Sequence, residues 1–141
     1  MQEIITRKEY HAKKWKKIYW LIDCPFCNHN NILWKWKTWF IVRNISPYSW
    51  DENHLMAVPY RHIKFSVELS LEEFSWLKEV HNFVKNYFWE VNYFSATRET
   101  MWNRSVEHLH IHFIPWRLQW KYLRKMLENQ WFPIKEELVF N

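Results

Sequence analysis

The sequence contains no glycine, although an average protein of 141 residues would have about ten. Small domains use glycine in left-handed turns and at helix ends, because glycine adopts positive φ without steric cost. The same chain has 12 tryptophans. Several of them lie where glycine is expected: Trp50 in a turn, Trp89 after a helical run and Trp131 shortly before Pro133.

Two hypotheses explain this exchange of residue types. In the first, a codon that the source organism translates as glycine is written here as tryptophan, while positions such as Trp39, in a strand pattern, are genuine. In the second, the protein is truly rich in tryptophan and presents surface indoles to a membrane or a partner. We favour the first, because the second leaves the missing glycines unexplained. A natural protein whose intact mass matched all 12 indoles would contradict it.

Long apolar runs and cysteines are also scarce. No stretch approaches the roughly 20 apolar residues of a membrane span, and the first residues contain no apolar segment typical of a signal peptide. Two cysteines do not form a disulfide framework. With 48% hydrophobic and 25% charged residues, the composition is that of a globular protein. The sequence therefore predicts a cytoplasmic protein with no membrane partner.

The net charge of +5 is concentrated in two places. Residues 1–17 carry six basic and two acidic side chains, which we interpret as a solvated face. A second basic cluster follows residue 116, and there a role in attracting anions is as plausible as a solvated face. Its members are Arg117, Lys121, Arg124 and Lys125. We predict a basic helix or arm over residues 1–23 and a single domain over 24–141.

Hydrophobic periodicity predicts an α+β domain. A capping box that begins at Ser70, followed by apolar residues at helical spacing, predicts a long helix that ends at Phe88. A further helix is predicted over 121–130. Consecutive strands around one long helix favour a mostly antiparallel sheet. The β-rich runs that predict strands are 38–43, 54–59, 91–96 and 108–114.

The run from His108 to Ile114 is the most informative segment. Side chains alternate between the faces of a strand, so His108, His110 and His112 would share one face while their apolar neighbours enter the core. Three aligned imidazoles suit metal binding or phosphate chemistry better than a chance group of surface histidines.

This pattern resembles the signature of the histidine triad (HIT) superfamily, His-φ-His-φ-His-φ-φ, in which φ is apolar. Every position from His108 to Ile114 fits. Three further blocks agree with the family: Ser105-Val106-Glu107, Asn44-Ile45-Ser46-Pro47, and the block from His54 through Pro59 to His62. Together with Cys24-x-x-Cys27, the resemblance covers roughly residues 24–116.

The resemblance implies a HIT-like α+β fold, with a mostly antiparallel sheet, one long helix and a C-terminal helix. It implies a homodimer, for which the helix over 71–88 is a plausible interface. It also implies hydrolysis or transfer at the α-phosphate of dinucleoside polyphosphates or nucleoside phosphoramidates. His110 would form a nucleotidyl-histidine intermediate that water hydrolyses, and His112 would contact the phosphate or the leaving group. His54 and Ser105 would bind phosphate oxygens.

Two further assignments depend on the resemblance. Thr97 stands where family members carry an asparagine among the phosphate contacts, and Arg98 or Arg104 are alternative sources of such contacts. In zinc-bearing members the cysteine pair is completed by two histidines. These correspond to His62 and His108, which implies a structural Zn²⁺ site with the ligands Cys24, Cys27, His62 and His108. Without the resemblance, two partly buried free thiols are the simpler interpretation.

Two other functions stay open. The chain could be a nucleotide-binding regulatory module with little turnover, or a processor of nucleic-acid ends that uses its basic arm. The presence of all four implied catalytic and phosphate-binding side chains favours the enzyme over the first. The modest net charge makes nucleic acid an unfavoured partner.

Overall fold

The computed structural model describes residues 24–51, 53–99 and 106–129. In this part of the chain a five-stranded antiparallel sheet has the order β1-β2-β3-β5-β4. Its elements are β1 (Ile32–Lys35), β2 (Trp39–Arg43), β3 (Leu55–Pro59), α1 (Leu71–Phe88), β4 (Tyr93–Thr97), β5 (Ile111–Pro115) and α2 (Trp120–Asn129). This is the α+β fold that the sequence predicts, with one long helix and a C-terminal helix. None of the described helices is long and apolar enough to cross a membrane.

The strands differ from the sequence prediction at two points. Strand β1 was not predicted, because its side chains are mostly exposed and show no alternation of apolar and polar residues. Strand β5 begins at Ile111 rather than His108. The backbone before it pairs elsewhere, since Leu109 N donates to Ile63 O at 2.7 Å. The predicted arm over 1–23, Ser105 and Trp131 lie outside the described residues.

The two faces of the sheet have separate apolar clusters. On one face α1 contributes Val80, Val84 and Phe88, which pack against alternate strand residues such as Ile41 and Phe113. The cluster on the other face consists of Phe40, Val42, Met56 and Val58. We call this second side the cavity face, because Met56 and His112 line a cavity there. The two residues lie opposite each other in the β3–β5 ladder. Burial of the first cluster therefore directs the alternating histidines to the face that α1 leaves open.

Helix α1 begins and ends at residues that the sequence indicates. Ser70 Oγ accepts from Glu73 N, and the Glu73 carboxylate accepts from Ser70 N, so both halves of the capping box form. Glu73 also pairs with Arg61 at 2.7 Å. The helix ends at Trp89, whose φ of 50° and ψ of −109° lie in a region that favours glycine.

The tryptophans fall into two groups. Trp39 is completely buried, and its Nε1 donates to Glu73 O at 2.8 Å, as a structural indole does. By contrast, Trp50 and Trp89 are 72% and 77% exposed. The backbone of Trp89 therefore favours the hypothesis that some of these positions are glycine in the natural protein.

Replacing Trp89 by glycine is expected to raise the free energy of unfolding by about 1 kcal/mol, because relief of backbone strain exceeds the entropic cost of glycine. Chemical denaturation of both proteins measures the difference. Trp50→Gly is the matched control, since Trp50 is similarly exposed but does not have positive φ. It should not stabilise the protein. Equal effects of the two substitutions would contradict the role of strain at Trp89.

Candidate active site

The central histidine of the triad is held in one tautomer by its own strand. His110 Nδ1 lies 2.7 Å from His108 O, and a carbonyl only accepts, so Nδ1 carries the proton. In the neutral ring, Nε2 then has the lone pair. His110 is buried and lines a cavity on the cavity face of the sheet. In its neutral form the ring is therefore a nitrogen base whose lone pair is on Nε2.

A second chain of hydrogen bonds orients His112. Tyr48 N donates to His54 Nδ1 at 3.1 Å, so in neutral His54 the proton is on Nε2. His54 Nε2 lies 2.8 Å from His112 Nδ1 and donates to it. His112 therefore carries its own proton on Nε2. The amide nitrogen of Asn44 is also 3.4 Å from His54 Nε2, but as a second donor it forms no hydrogen bond with that atom in this tautomer.

The environment of His54 keeps its ring neutral. The side chain is completely buried, and burial lowers its pKa to about 3, with the nearby His110 adding to the effect. A neutral His54 can both accept from Tyr48 and donate to His112, which a protonated ring cannot do. The buried pair thus fixes the proton of His112 without placing a charge beside the cavity.

His54 is expected to make the protein less stable as the pH falls. Between pH 6.5 and about 4 the unfolded chain binds a proton at this residue and the folded chain does not, so stability falls by about 1.4 kcal/mol per pH unit. Urea unfolding across this range, for the wild type and for His54→Gln, measures the contribution. The titration of histidines that do not interact with His54 cancels in the difference. Parallel pH profiles for the two proteins would contradict it.

The cavity next to these histidines has an apolar part and a polar part. Val42, Ile45 and Met56 contribute apolar surface, and Phe26 covers the triad, with its ring centre 5.2 Å from that of His110. The polar part includes four amide side chains: Asn28, Asn30, Asn31 and Asn44. A cavity with this lining suits a flat heterocycle with a polar substituent.

Tyr48 and Tyr122 belong to the site, although the sequence analysis assigned them no role. The Tyr48 ring stacks on His112 with 5.3 Å between ring centres, and Tyr122 stacks on Tyr48 at 4.7 Å. Tyr122 lies on α2, outside the segment that carries the motifs. The one signal available was the position of Tyr48 directly after Pro47 in the Asn-x-x-Pro block.

The cysteine pair and two histidines meet beside the triad. Sulfur and imidazole nitrogen atoms of Cys24, Cys27, His62 and His108 all lie within 4.8 Å of one another. Cys27 Sγ is 3.1 Å from His62 Nδ1, and Cys24 Sγ is 3.4 Å from His108 Nδ1. These are the four residues that the resemblance implies as metal ligands, brought together from three separate parts of the chain.

The surroundings of this cluster suit a metal ion. His108 Nε2 donates to Pro59 O at 2.8 Å, which leaves the lone pair on Nδ1, toward the sulfurs. Burial raises the pKa of Cys27 to about 11, and the adjacent Cys24 adds to this through a hydrogen bond and through charge repulsion. Two thiolates and two neutral imidazoles are the donor set of a closed tetrahedral Zn²⁺ site.

The remaining candidates for substrate binding differ in whether they line the cavity. Thr97 ends β4 opposite Ile111, a member of the cluster under α1, so strand alternation turns Thr97 away from the cavity face. The next residue, Arg98, lines the cavity instead. Ser105 is outside the described residues, and its neighbour Val106 also lines the cavity.

The chain matches one known protein family over most of its length. A family model described as "Scavenger mRNA decapping enzyme C-term binding" matches residues 23–127. The chain belongs to this family, and with it to the histidine triad superfamily. The histidine triad assignment thus extends beyond the motif segment and includes most of α2. No curated protein sequence matches the chain.

Solved histidine triad structures share this fold. A zinc-bound histidine triad family protein from Mycobacterium smegmatis is 16% identical, with a TM-score of 0.59, over 77% of this chain and 96% of that chain. A HIT family hydrolase from Legionella pneumophila is 20% identical, with a TM-score of 0.55, over 70% and 97%. The diadenosine triphosphate hydrolase of Plasmodium falciparum is 18% identical, with a TM-score of 0.52, over 71% and 72%. At these identities the likeness shows the fold alone.

Proposed function

We propose that this histidine triad protein is a nucleotide hydrolase that cleaves at the α-phosphate of dinucleoside polyphosphates or nucleoside phosphoramidates. The observation that carries the proposal is the tautomer of His110, whose Nδ1 is committed to His108 O at 2.7 Å. A neutral imidazole with its lone pair on Nε2, in a buried cavity, is a competent nucleophile at neutral pH. The names of similar hydrolases support the same class of reaction.

The reaction proceeds in two displacements. His110 Nε2 attacks the α-phosphorus, a P–N bond forms, and the bond to the leaving group breaks with its electron pair on that group. His112 donates from Nε2 to a phosphate or leaving-group oxygen, and Ser105 belongs to the same phosphate-binding set. His54, expected from the resemblance to bind phosphate, acts instead through His112, because both of its ring nitrogens are used by Tyr48 N and His112 Nδ1. Water then attacks the nucleotidyl-histidine, which releases a nucleoside monophosphate and restores His110.

The nucleoside occupies the part of the cavity next to β2. Val42, Ile45 and Met56 offer apolar contact to a base. Asn44 Oδ1 accepts from Ser46 N, so the side chain of Asn44 would contact a sugar hydroxyl through Nδ2. Thr97 is retained as a substrate-binding prediction. Its place opposite Ile111 makes contact through its backbone more favourable than contact through its side chain.

Zn²⁺ is the proposed metal of the Cys₂His₂ cluster, held by Cys24, Cys27, His62 and His108. A closed site of this kind stabilises structure and takes no part in the reaction. The zinc-bound relative from Mycobacterium smegmatis supports this choice of metal. A homodimer that uses α1 and a cytoplasmic location also stay predictions.

The proposed function is tested by incubating the purified protein with diadenosine tetraphosphate and with adenosine phosphoramidate. A variant in which the exposed Trp50 and Trp89 are replaced by glycine is assayed in parallel. Release of AMP by either protein is the expected result. Tight binding of AMP with no release from either substrate would favour the alternative function, a nucleotide-binding regulatory module.

A further inference from the structure

Arg98 directly follows β4, the strand next to β5, and lines the same cavity as His110. The β4–β5 ladder ends with Ala96 opposite His112 and Thr97 opposite Ile111, and Arg98 is the next residue, in phase with Ala96. Residues directly opposite each other in an antiparallel pair project from the same face. Arg98, His110 and His112 accordingly line the same cavity.

The order of the strands gives the cavity a direction. From β2 the sheet continues through β3 to β5 and then to β4 at the edge. Val42 and the residues that follow β2 lie on one side of the triad, and Arg98 lies on the other. Adjacent strands are about 4.8 Å apart, so a substrate with its nucleoside over β2 and its α-phosphate at β5 extends its leaving group past β4.

The charge on that far side comes from Arg98. Among the described residues that line the cavity, the basic ones are Arg43 and Arg98. The Arg43 guanidinium lies 3.4 Å from Tyr87 Oη on α1, which is on the opposite face of the sheet. Neither aspartate nor glutamate is among the described lining residues. The positive charge of Arg98 therefore attracts an anionic leaving group, whereas it gives a neutral amine no comparable electrostatic stabilisation.

We propose that Arg98 binds a phosphate of the leaving group, so that this enzyme prefers substrates whose α-phosphate is linked to a further phosphate. A planar guanidinium donates two parallel hydrogen bonds to phosphate oxygens. When the P–O bond breaks, its electron pair stays on the departing phosphate oxygen, and Arg98 stabilises that charge. This inference rests on the proposed function and selects dinucleoside polyphosphates over nucleoside phosphoramidates.

The test compares two substrates that share adenosine and the α-phosphate. We expect Arg98→Met to lower kcat/KM for diadenosine tetraphosphate by about 10- to 100-fold, which is the loss of one charge-assisted contact. The value for adenosine phosphoramidate should stay within about threefold, because its leaving group is not a phosphate. Arg98→Lys should recover part of the first value, since an ammonium retains the charge without the planar fork.

The matched control is Arg124→Met. Arg124 is an exposed α2 residue that pairs with Glu128 at 3.0 Å and does not line the cavity. The Arg124→Met substitution removes the same charge from the chain. The ratio of kcat/KM for the two substrates in this variant should equal that of the wild type. An equal loss on both substrates in Arg98→Met, or no loss on either, would overturn the assignment of Arg98 to the leaving group.

A wild-type protein that cleaves neither substrate would refute the proposed function without deciding the role of Arg98. Titration calorimetry with AMP and ADP then decides it. If Arg98 binds the second phosphate, the wild type binds ADP more tightly than AMP and Arg98→Met loses that preference. An identical ADP-to-AMP affinity ratio in the two proteins would overturn the proposal.

Discussion

Replacing His110 by alanine is expected to lower AMP release from diadenosine tetraphosphate by at least about 10⁴-fold, as the loss of a covalent nucleophile does in other enzymes. The physical reason is that the neighbouring imidazole is not a substitute. His112 Nδ1 accepts from His54 at 2.8 Å, which leaves a proton rather than a lone pair on its Nε2. Steady-state AMP release, with substrate in excess, measures the effect.

Two controls separate loss of chemistry from loss of fold. His81→Ala removes an exposed imidazole of α1 and should retain full activity. The His110→Ala variant should still bind AMP in calorimetry, with an affinity close to that of the wild type. A rapid acid-free quench should trap a nucleotidyl-protein adduct in the wild type and none in this variant. Activity above about 1% of the wild type in His110→Ala would contradict the covalent mechanism.

The second large effect concerns the metal cluster. Replacing Cys24 and Cys27 together by serine is expected to abolish zinc binding and to lower Tm by at least about 10 °C, because structural zinc contributes many kcal/mol to folding. Activity should fall as well. Phe26 lies between the two cysteines, and its ring packs against those of His108 and His110 at 5.9 and 5.2 Å.

Metal analysis and differential scanning calorimetry check this prediction. The wild type treated with a strong chelator should show the same lowered Tm as the double variant, and added Zn²⁺ should restore only the wild type. A wild-type protein that contains no zinc, with both thiols titratable in its native state, would rule out the metal centre. A double variant with an unchanged Tm would contradict its structural role.

Much of the site was predictable because it depends on local periodicity. Alternation from His108 to His112 predicts that the imidazoles and the intervening apolar residues take opposite sides. The structure agrees in that Leu109 and Ile111 lie in the cluster under α1, although β5 itself begins only at Ile111. The start of α1 at the capping box of Ser70 and Glu73 is likewise a short-range property. The four proposed zinc ligands were named only through the resemblance, since two cysteines and scattered histidines do not by themselves indicate that they meet.

Contacts between distant segments could not be obtained in this way. The stack of Tyr122 on Tyr48 depends on where α2 packs, and no periodicity in α2 indicates its partner. Arg98 lines the cavity in place of the expected Thr97 because of strand register. One step along the chain reverses the face to which a side chain projects.

The sequence by itself determined the family, the two faces of the triad strand and the chemical character of its side chains. The tertiary structure decided how those side chains are protonated and what else they face. A carbonyl two residues away fixes the proton of His110 on Nδ1, and His54, 58 residues away in sequence, fixes the proton of His112 on Nε2. A hydrogen bond such as that between His54 and His112 exists only after distant segments of the chain have come together. The sequence alone therefore does not specify it.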